Sequence, residues 1–299
     1  MVPDIEGMDV AVESILSYPT VRVRDRSLVK RKLTDLLKGG NDQLAVISDF
    51  DFTLTRSVDA FGEPCLGSHA VLNHLLYSLH PECEDEICAT NAKYLAIEYN
   101  PNISKSEKAH ENYISFGIRR DDIAQFVADA KIELRDGAYD LVKHLASSSI
   151  PLLLFSAGVG NVIEVFLRQR LGDIPDNIHI ISNMLLFNEQ GVVNGCSEPL
   201  IHVFCKDASV IPKDAPFYND IAHRGNILLL GDSLGDLHMD VGVAHRGTVL
   251  KIGYLNSQVD GLLTSYLNGF DIVLVEDQTM HVPDLILQAL LSSTNKLTV

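Results

Sequence analysis

"LAVISDFDFTLT", residues 44 to 55, decides the fold. Leu44 to Ile47 are apolar at successive positions, which suits a strand covered on both faces, and the run ends in Ser48, Asp49, Phe50 and Asp51. Further runs of this kind recur down the chain: "IPLLLFSAG" (150–158), "NIHIISN" (177–183), "GNILLLGDS" (225–233), "TVLKIG" (248–253) and "DIVLVED" (271–277). Helical patterns alternate with them, as right-handed βαβ crossovers in a parallel sheet require. The reading is α/β, a doubly wound parallel sheet.

About a hundred residues separate the first run from the second, and they read mostly as helix, including "GSHAVLNHLLYSL" (67–79), "DEICATNAKYLAIEY" (85–99) and "RRDDIAQFVADA" (119–130). One crossover helix does not need that length, so a helical cap inserted after the first strand is expected. The expected organisation is N-terminal helices and the first core strand over 1–60, the cap over 61–137, and the remainder of the core over 138–299. "RDRSLVKRKLTDLLKGG" (24–40) reads as a helix capped by Asp25 or Ser27 and stopped by Gly39 and Gly40, and "NMLLFNEQGVVNGC" (183–196) reads as a β-hairpin.

Open α/β sheets bind ligands outside the carboxyl ends of their strands. The residues there are Asp49, Asp51 and Thr53 after the first run, Ser156, Ala157 and Gly158 after the second, and Asp232 and Asp236 after "NILLL". Lys206 lies in "LIHVFCKDAS". Two like charges 4 Å apart repel by about 4 kcal/mol at an effective dielectric near 20, so a cation is expected among these acids. Mg2+ suits a half-shell of Asp49, a carbonyl near Asp51, and Asp232. In that setting Asp49 is placed to attack phosphorus, Asp51 to protonate the leaving oxygen and then activate water, and Ser156 and Lys206 to hold the phosphate. The plainer alternatives are helix capping for the acids and a solvated loop position for Lys206.

Composition narrows the partners. The 299 residues carry a formal net charge of -16, which opposes binding to nucleic acid polymers or anionic membranes. Five cysteines without C-x2-C pairs read as free thiols, and the acidic N-terminal decapeptide lacks the pattern of a signal peptide, so a cytoplasmic setting is the expectation; a monomer is expected separately.

"DFDFTLT", "FSAG", the intervening lysine and "GDSLGDLHM" resemble the four motifs of the haloacid dehalogenase-like phosphatases. From about residue 28 to residue 290 the wording is similar to the cytosolic 5'-nucleotidase III family, notably in "YLAIEYNP", "FSAGVGNVIE", "PLIHVFCK", "NILLLGDSLGDLHM", "LKIGYLN" and "DIVLV". The resemblance implies a Mg2+-dependent hydrolase of nucleoside 5'-monophosphates, pyrimidine or 7-methylguanosine, acting through an aspartyl phosphate and able to pass the phosphoryl group to another nucleoside. It makes Asp49 the nucleophile, Asp51 the proton donor, and Asp49, Asp51 and Asp232 the metal site. It makes Ser156, Ala157 and Lys206 phosphate-binding, and Glu98, which otherwise reads as a solvent-facing helix residue, the contact to the base. Thr53, Gly158 and Asp236 would support that set from behind. The family has a longer helical stretch where this chain has "SEKAHENYISFGIRRDDI" (106–123), so the alignment secures no counterpart for a serine that contacts the substrate and offers Ser115 only as a candidate. The shortening keeps two other readings in view: a weakly active or inactive nucleotide-binding relative, and a phosphatase for a small molecule such as phosphoserine.

Overall fold

A computed structural model describes residues 5–83, 85, 116–201, 206, 211, 215–243 and 247–295. All six apolar runs form strands: β2 (Leu44–Ser48), β3 (Leu152–Val159), β4 (Ile178–Asn183), β7 (Asn226–Gly231), β8 (Val249–Leu255) and β9 (Ile272–Val275). A two-residue strand, β1 (Val21–Arg22), joins them, too short to carry any periodic signal in the sequence. The seven strands lie in the order β1-β9-β8-β7-β2-β3-β4. Every neighbouring pair is parallel except β1 with β9 at the edge.

This order makes β2 the turning point. From β2 the chain winds outward to β3 and β4, then returns to the opposite side for β7, β8 and β9. A crevice opens at the carboxyl ends of strands where the winding direction reverses. The residues leaving β2, β3 and β7 face one another there. The register fixes their height, because Ile47 lies level with both Leu153 and Leu229.

Helices cover both faces, as the continuous apolar runs require. Alternate residues of β2 separate cleanly: Leu44 and Val46 belong to one buried cluster, Ala45 and Ile47 to the other. The first face packs α1 (Ile5–Leu16), α2 (Arg26–Gly39), α3 (Ser68–Leu79), α4 (Arg120–Asp129), α5 (Ala138–Ser147), α6 (Gly160–Leu171) and α9 (His281–Asn295). The second packs α7 (Pro216–Ile221) and α8 (Val259–Gly269). Of the two N-caps expected for α2, Asp25 is the one used, its side chain accepting from the Leu28 N–H at 2.9 Å. The expected hairpin forms from β5 (Leu185–Phe187) and β6 (Val193–Cys196).

The segment leaving β2 and the one returning to the core run side by side. Thr55 bridges Leu134, the Arg56 N–H donates to the Glu133 carbonyl at 2.8 Å, and the Leu66 N–H donates to the Lys131 carbonyl at 2.8 Å. The inner faces of α3 (Val71, Leu72, Leu75, Leu76) and α4 (Ile123, Val127) bury in the same cluster as Val162, Ile163 and Phe166 of α6. α3 is thereby fixed next to β3, with its amino end at the crevice. Among the described residues, no helix is long and apolar enough to cross a membrane.

Candidate active site

Asp49 is the first residue beyond β2, and its N–H donates to the Leu230 carbonyl at 2.9 Å, extending the β2–β7 ladder by one step. This aims its carboxylate along the crevice toward the end of β7. Ligand oxygens of Asp49, Asp232 and Asp236 all lie within 4.8 Å of one another. Lys206 is driven into this cluster: its ammonium donates to Asp49 Oδ1 at 2.5 Å and to Asp236 Oδ1 at 2.8 Å, and its side chain is only 4% exposed. The second oxygen of Asp49 accepts from Thr53 Oγ at 3.1 Å.

Asp236 uses its two oxygens differently. Its Oδ1 meets Lys206, while its Oδ2 accepts from the N–H groups of Asp232 (3.1 Å) and Ser233 (2.9 Å) and from Ser233 Oγ (2.9 Å), closing a capping box on the short 3-10 turn Leu234–His238. A methyl group on Gly231 would lie 2.4 Å from the Asp236 Cβ, so the turn closes only around a glycine. The Tyr266 hydroxyl donates to the Asp232 carbonyl from α8 and fixes that loop from outside.

Asp51 points elsewhere. Its Oδ1 accepts from the Ser68 N–H at 2.7 Å and its Oδ2 from Ser68 Oγ at 2.6 Å. Its carboxylate is therefore not among the clustered oxygens, which belong to Asp49, Asp232 and Asp236. The chain between Asp51 and Thr53 takes a left-handed turn at Phe52, φ 61°, uncommon for a non-glycine residue. Arg135 holds that turn. Its guanidinium is buried over the Tyr254 ring and donates to the Thr53 carbonyl at 2.7 Å, the Phe52 carbonyl at 2.5 Å, Asn256 Oδ1 at 2.7 Å and the Asp277 carbonyl.

The electrostatics follow from these distances. Among the described residues, three carboxylates cluster on one ammonium, with Arg135 adding a weaker pull on Asp232, so negative charge is in excess where Asp49 and Asp236 are buried and Asp232 is half-buried. Burial pushes Asp49 up to about 7 against the pull of Lys206, with Asp236 and Asp51 adding to the rise. Desolvation, followed by repulsion from Asp49 and Asp236, pushes Asp232 well above the usual carboxylate range. Burial works against the Lys206 ammonium, but Asp49 and Asp236 outweigh it and hold its pKa above the ordinary lysine value. The unbalanced charge has two remedies, protons or a divalent cation, and an all-oxygen donor set of this kind suits a hard dication.

Ser156 and Gly158, expected just after the second strand, lie within β3, which stays extended to Val159 through a register shift against β4. Ser156 Oγ accepts from the Gly158 N–H at 3.0 Å. The Ala157 carbonyl accepts from Asn183 Nδ2 at 2.8 Å and contacts His69 Nε2 at 3.1 Å. Glu98 and Ser115 lie outside the described residues. Three residues at the site were not singled out from the sequence: Ser68, Arg135 and Tyr266. Ser68 carried a weak signal, as a serine at the start of α3. Arg135 and Tyr266 carried none, since each acts on a main-chain carbonyl far away in sequence.

A doubly wound sheet with acids after β2 and β7 and a lysine buried between them fits the haloacid dehalogenase-like phosphatase motifs that the sequence resembles. A probable phosphoserine phosphatase from Vibrio cholerae shares that fold at 13% identity, TM-score 0.55, over 96% of this chain and 85% of that one. The family model for pyrimidine 5'-nucleotidase (UMPH-1) matches residues 52–291, and the chain belongs to that family. A putative cytosolic 5'-nucleotidase 3 of Caenorhabditis elegans is 41% identical over 291 residues, covering 93% of this chain and 77% of that protein. The 7-methylguanosine phosphate-specific 5'-nucleotidase of Homo sapiens is 36% identical over 288 residues, covering 93% and 95%. A crystal structure of cytosolic 5'-nucleotidase IIIB bound to cytidine superposes with TM-score 0.83 at 29% identity, covering 99% of each chain. The protein is thus a phosphoric monoester hydrolase, a 5'-nucleotidase of the pyrimidine or 7-methylguanosine type.

Proposed function

We propose that this protein hydrolyses nucleoside 5'-monophosphates in a Mg2+-dependent reaction through an aspartyl phosphate on Asp49. The observation that carries the reading is the buried Lys206 bridge between Asp49 and Asp236, with Asp232 inside the same cluster. Asp49 and Asp232 would hold the metal together with a main-chain carbonyl beside Asp51, and Asp236 would position Lys206. When bound, the dication neutralises the phosphoryl oxygens and lets them approach the acids.

The residues then divide the work. An Asp49 oxygen attacks phosphorus in line, the P–O5′ bond breaks, and Asp51 delivers its proton to the departing nucleoside oxygen. Asp51, now ionised, takes a proton from water as that water attacks the phosphoenzyme, releasing phosphate and restoring Asp49. A second nucleoside's hydroxyl in place of water gives phosphotransfer. Lys206, Ser156 and the Ala157 main chain hold the non-bridging oxygens. Residues 61–137 act as the cap, closing over the nucleotide to exclude water, with Glu98 meeting the base. A cytosolic setting fits the names of its relatives.

The test is phosphate release from CMP, UMP and 7-methylguanosine monophosphate by purified protein with Mg2+. Release from at least one is expected, with abolition by EDTA and by Asp49→Asn. Survival of all three nucleotides while p-nitrophenyl phosphate is cleaved would overturn the nucleotide assignment and leave the phosphatase.

A further inference from the structure

Ser68 ties three parts of the site together. Its N–H and its hydroxyl take the two oxygens of Asp51, at 2.7 and 2.6 Å, and the same hydroxyl oxygen accepts from the Val159 N–H at 3.1 Å. Ser68 is fully buried and is the first residue of α3, whose preceding residue, Gly67, has no side chain to cap it. The space around this joint is filled. A methyl group on Gly158 would lie 2.0 Å from Ser68 Oγ, 2.7 Å from Asp51 Oδ2 and 3.0 Å from Ser156 Oγ. A carboxylate that carries a proton to a leaving oxygen must be aimed, and its torsions are free unless something fixes both oxygens. Ser68 fixes both with one residue, occupying one lone-pair direction on each and leaving another on each for the proton.

We infer that Ser68 is the positioning residue for the proton donor: it aims the Asp51 carboxylate at the leaving-group oxygen from the base of the cap. This rests on the assignment of Asp51 as proton donor above. The role differs from simple capping of α3. A cap stabilises the helix, and its loss lowers activity on every substrate alike. A positioning residue matters in proportion to how much the leaving group needs its proton. A nucleoside alkoxide needs that proton, whereas p-nitrophenolate departs without it.

The experiment measures kcat/KM, which reports the step that expels the leaving group, for CMP and for p-nitrophenyl phosphate, on wild type, Ser68→Ala and Asp51→Asn. General acid assistance is worth about 10²- to 10⁴-fold, and Ser68→Ala keeps the main-chain donor, so a loss of about 10- to 100-fold on CMP is expected. On p-nitrophenyl phosphate the loss should stay within about threefold, which also shows the variant folded. Equal losses on both substrates, or no loss on CMP, would overturn the role of Ser68 if Asp51→Asn shows the leaving-group selectivity. An Asp51→Asn enzyme without that selectivity overturns the assignment of Asp51, and the role of Ser68 with it.

Discussion

Replacing Lys206 by methionine keeps the length of the buried stem and removes the charge. At 2.5 and 2.8 Å from Asp49 and Asp236, each contact is worth about 6 kcal/mol at an effective dielectric of 20. Desolvating the ammonium costs several kcal/mol in return, so the net effect is smaller than the sum. What decides it is the set of acids left behind, since among the described residues the three carboxylates then keep only the weaker pull of Arg135 on Asp232. Breaking a buried pair by removing one partner costs about 3–5 kcal/mol, and Lys206→Met should lose that amount at pH 8 in EDTA. At pH 5.5 the loss should shrink, because acids already raised by burial take up protons in place of the lost ammonium. Urea titrations at the two pH values measure both numbers, and saturating Mg2+ at pH 8 should recover part of the loss. A loss below about 1 kcal/mol at pH 8, or the same loss at both pH values, would refute the electrostatic reasoning.

The metal-free wild type should itself lose stability as pH rises. The folded Asp49 titrates at about 7 and its unfolded form near 3.8, so between those values the folded chain binds the extra proton. Its contribution is complete below the lower value and is lost on rising through the upper one, with a limiting slope of about 1.4 kcal/mol per pH unit for each such proton. Urea midpoints in EDTA from pH 5 to 8 should fall along this course and flatten when Mg2+ is added; a midpoint that rises over the window contradicts it. Arg135→Ala leaves the carbonyls of Thr53 and Asp277 without their buried donor and the Phe52 carbonyl with Asn256 Nδ2 alone, and a loss of about 3–5 kcal/mol is expected in the same assay. Arg135→Lys restores the charge without the planar fork, so it should recover only part of that stability.

The chain's local patterns determined a good deal. Apolar runs longer than one alternation marked six strands, and acids directly after two of them marked the crevice, because burial on both faces and polarity at a strand end are properties of adjacent residues. The length between the first two runs gave only the expectation of an inserted segment. The solitary Lys206 carried the weakest physical signal in its own surroundings, and its charge suggested a solvated loop. Only folding brings Asp49 and Asp236, 187 positions apart, to either side of it. Asp51 likewise follows its strand as Asp49 does, yet the left-handed turn at Phe52 and the arrival of α3 send its carboxylate to Ser68. Which polar groups meet depends on strand order and on where crossovers return, and those are settled by packing over the whole sheet. Spacing along the chain places a carboxylate at an edge, and only the tertiary arrangement decides what it touches.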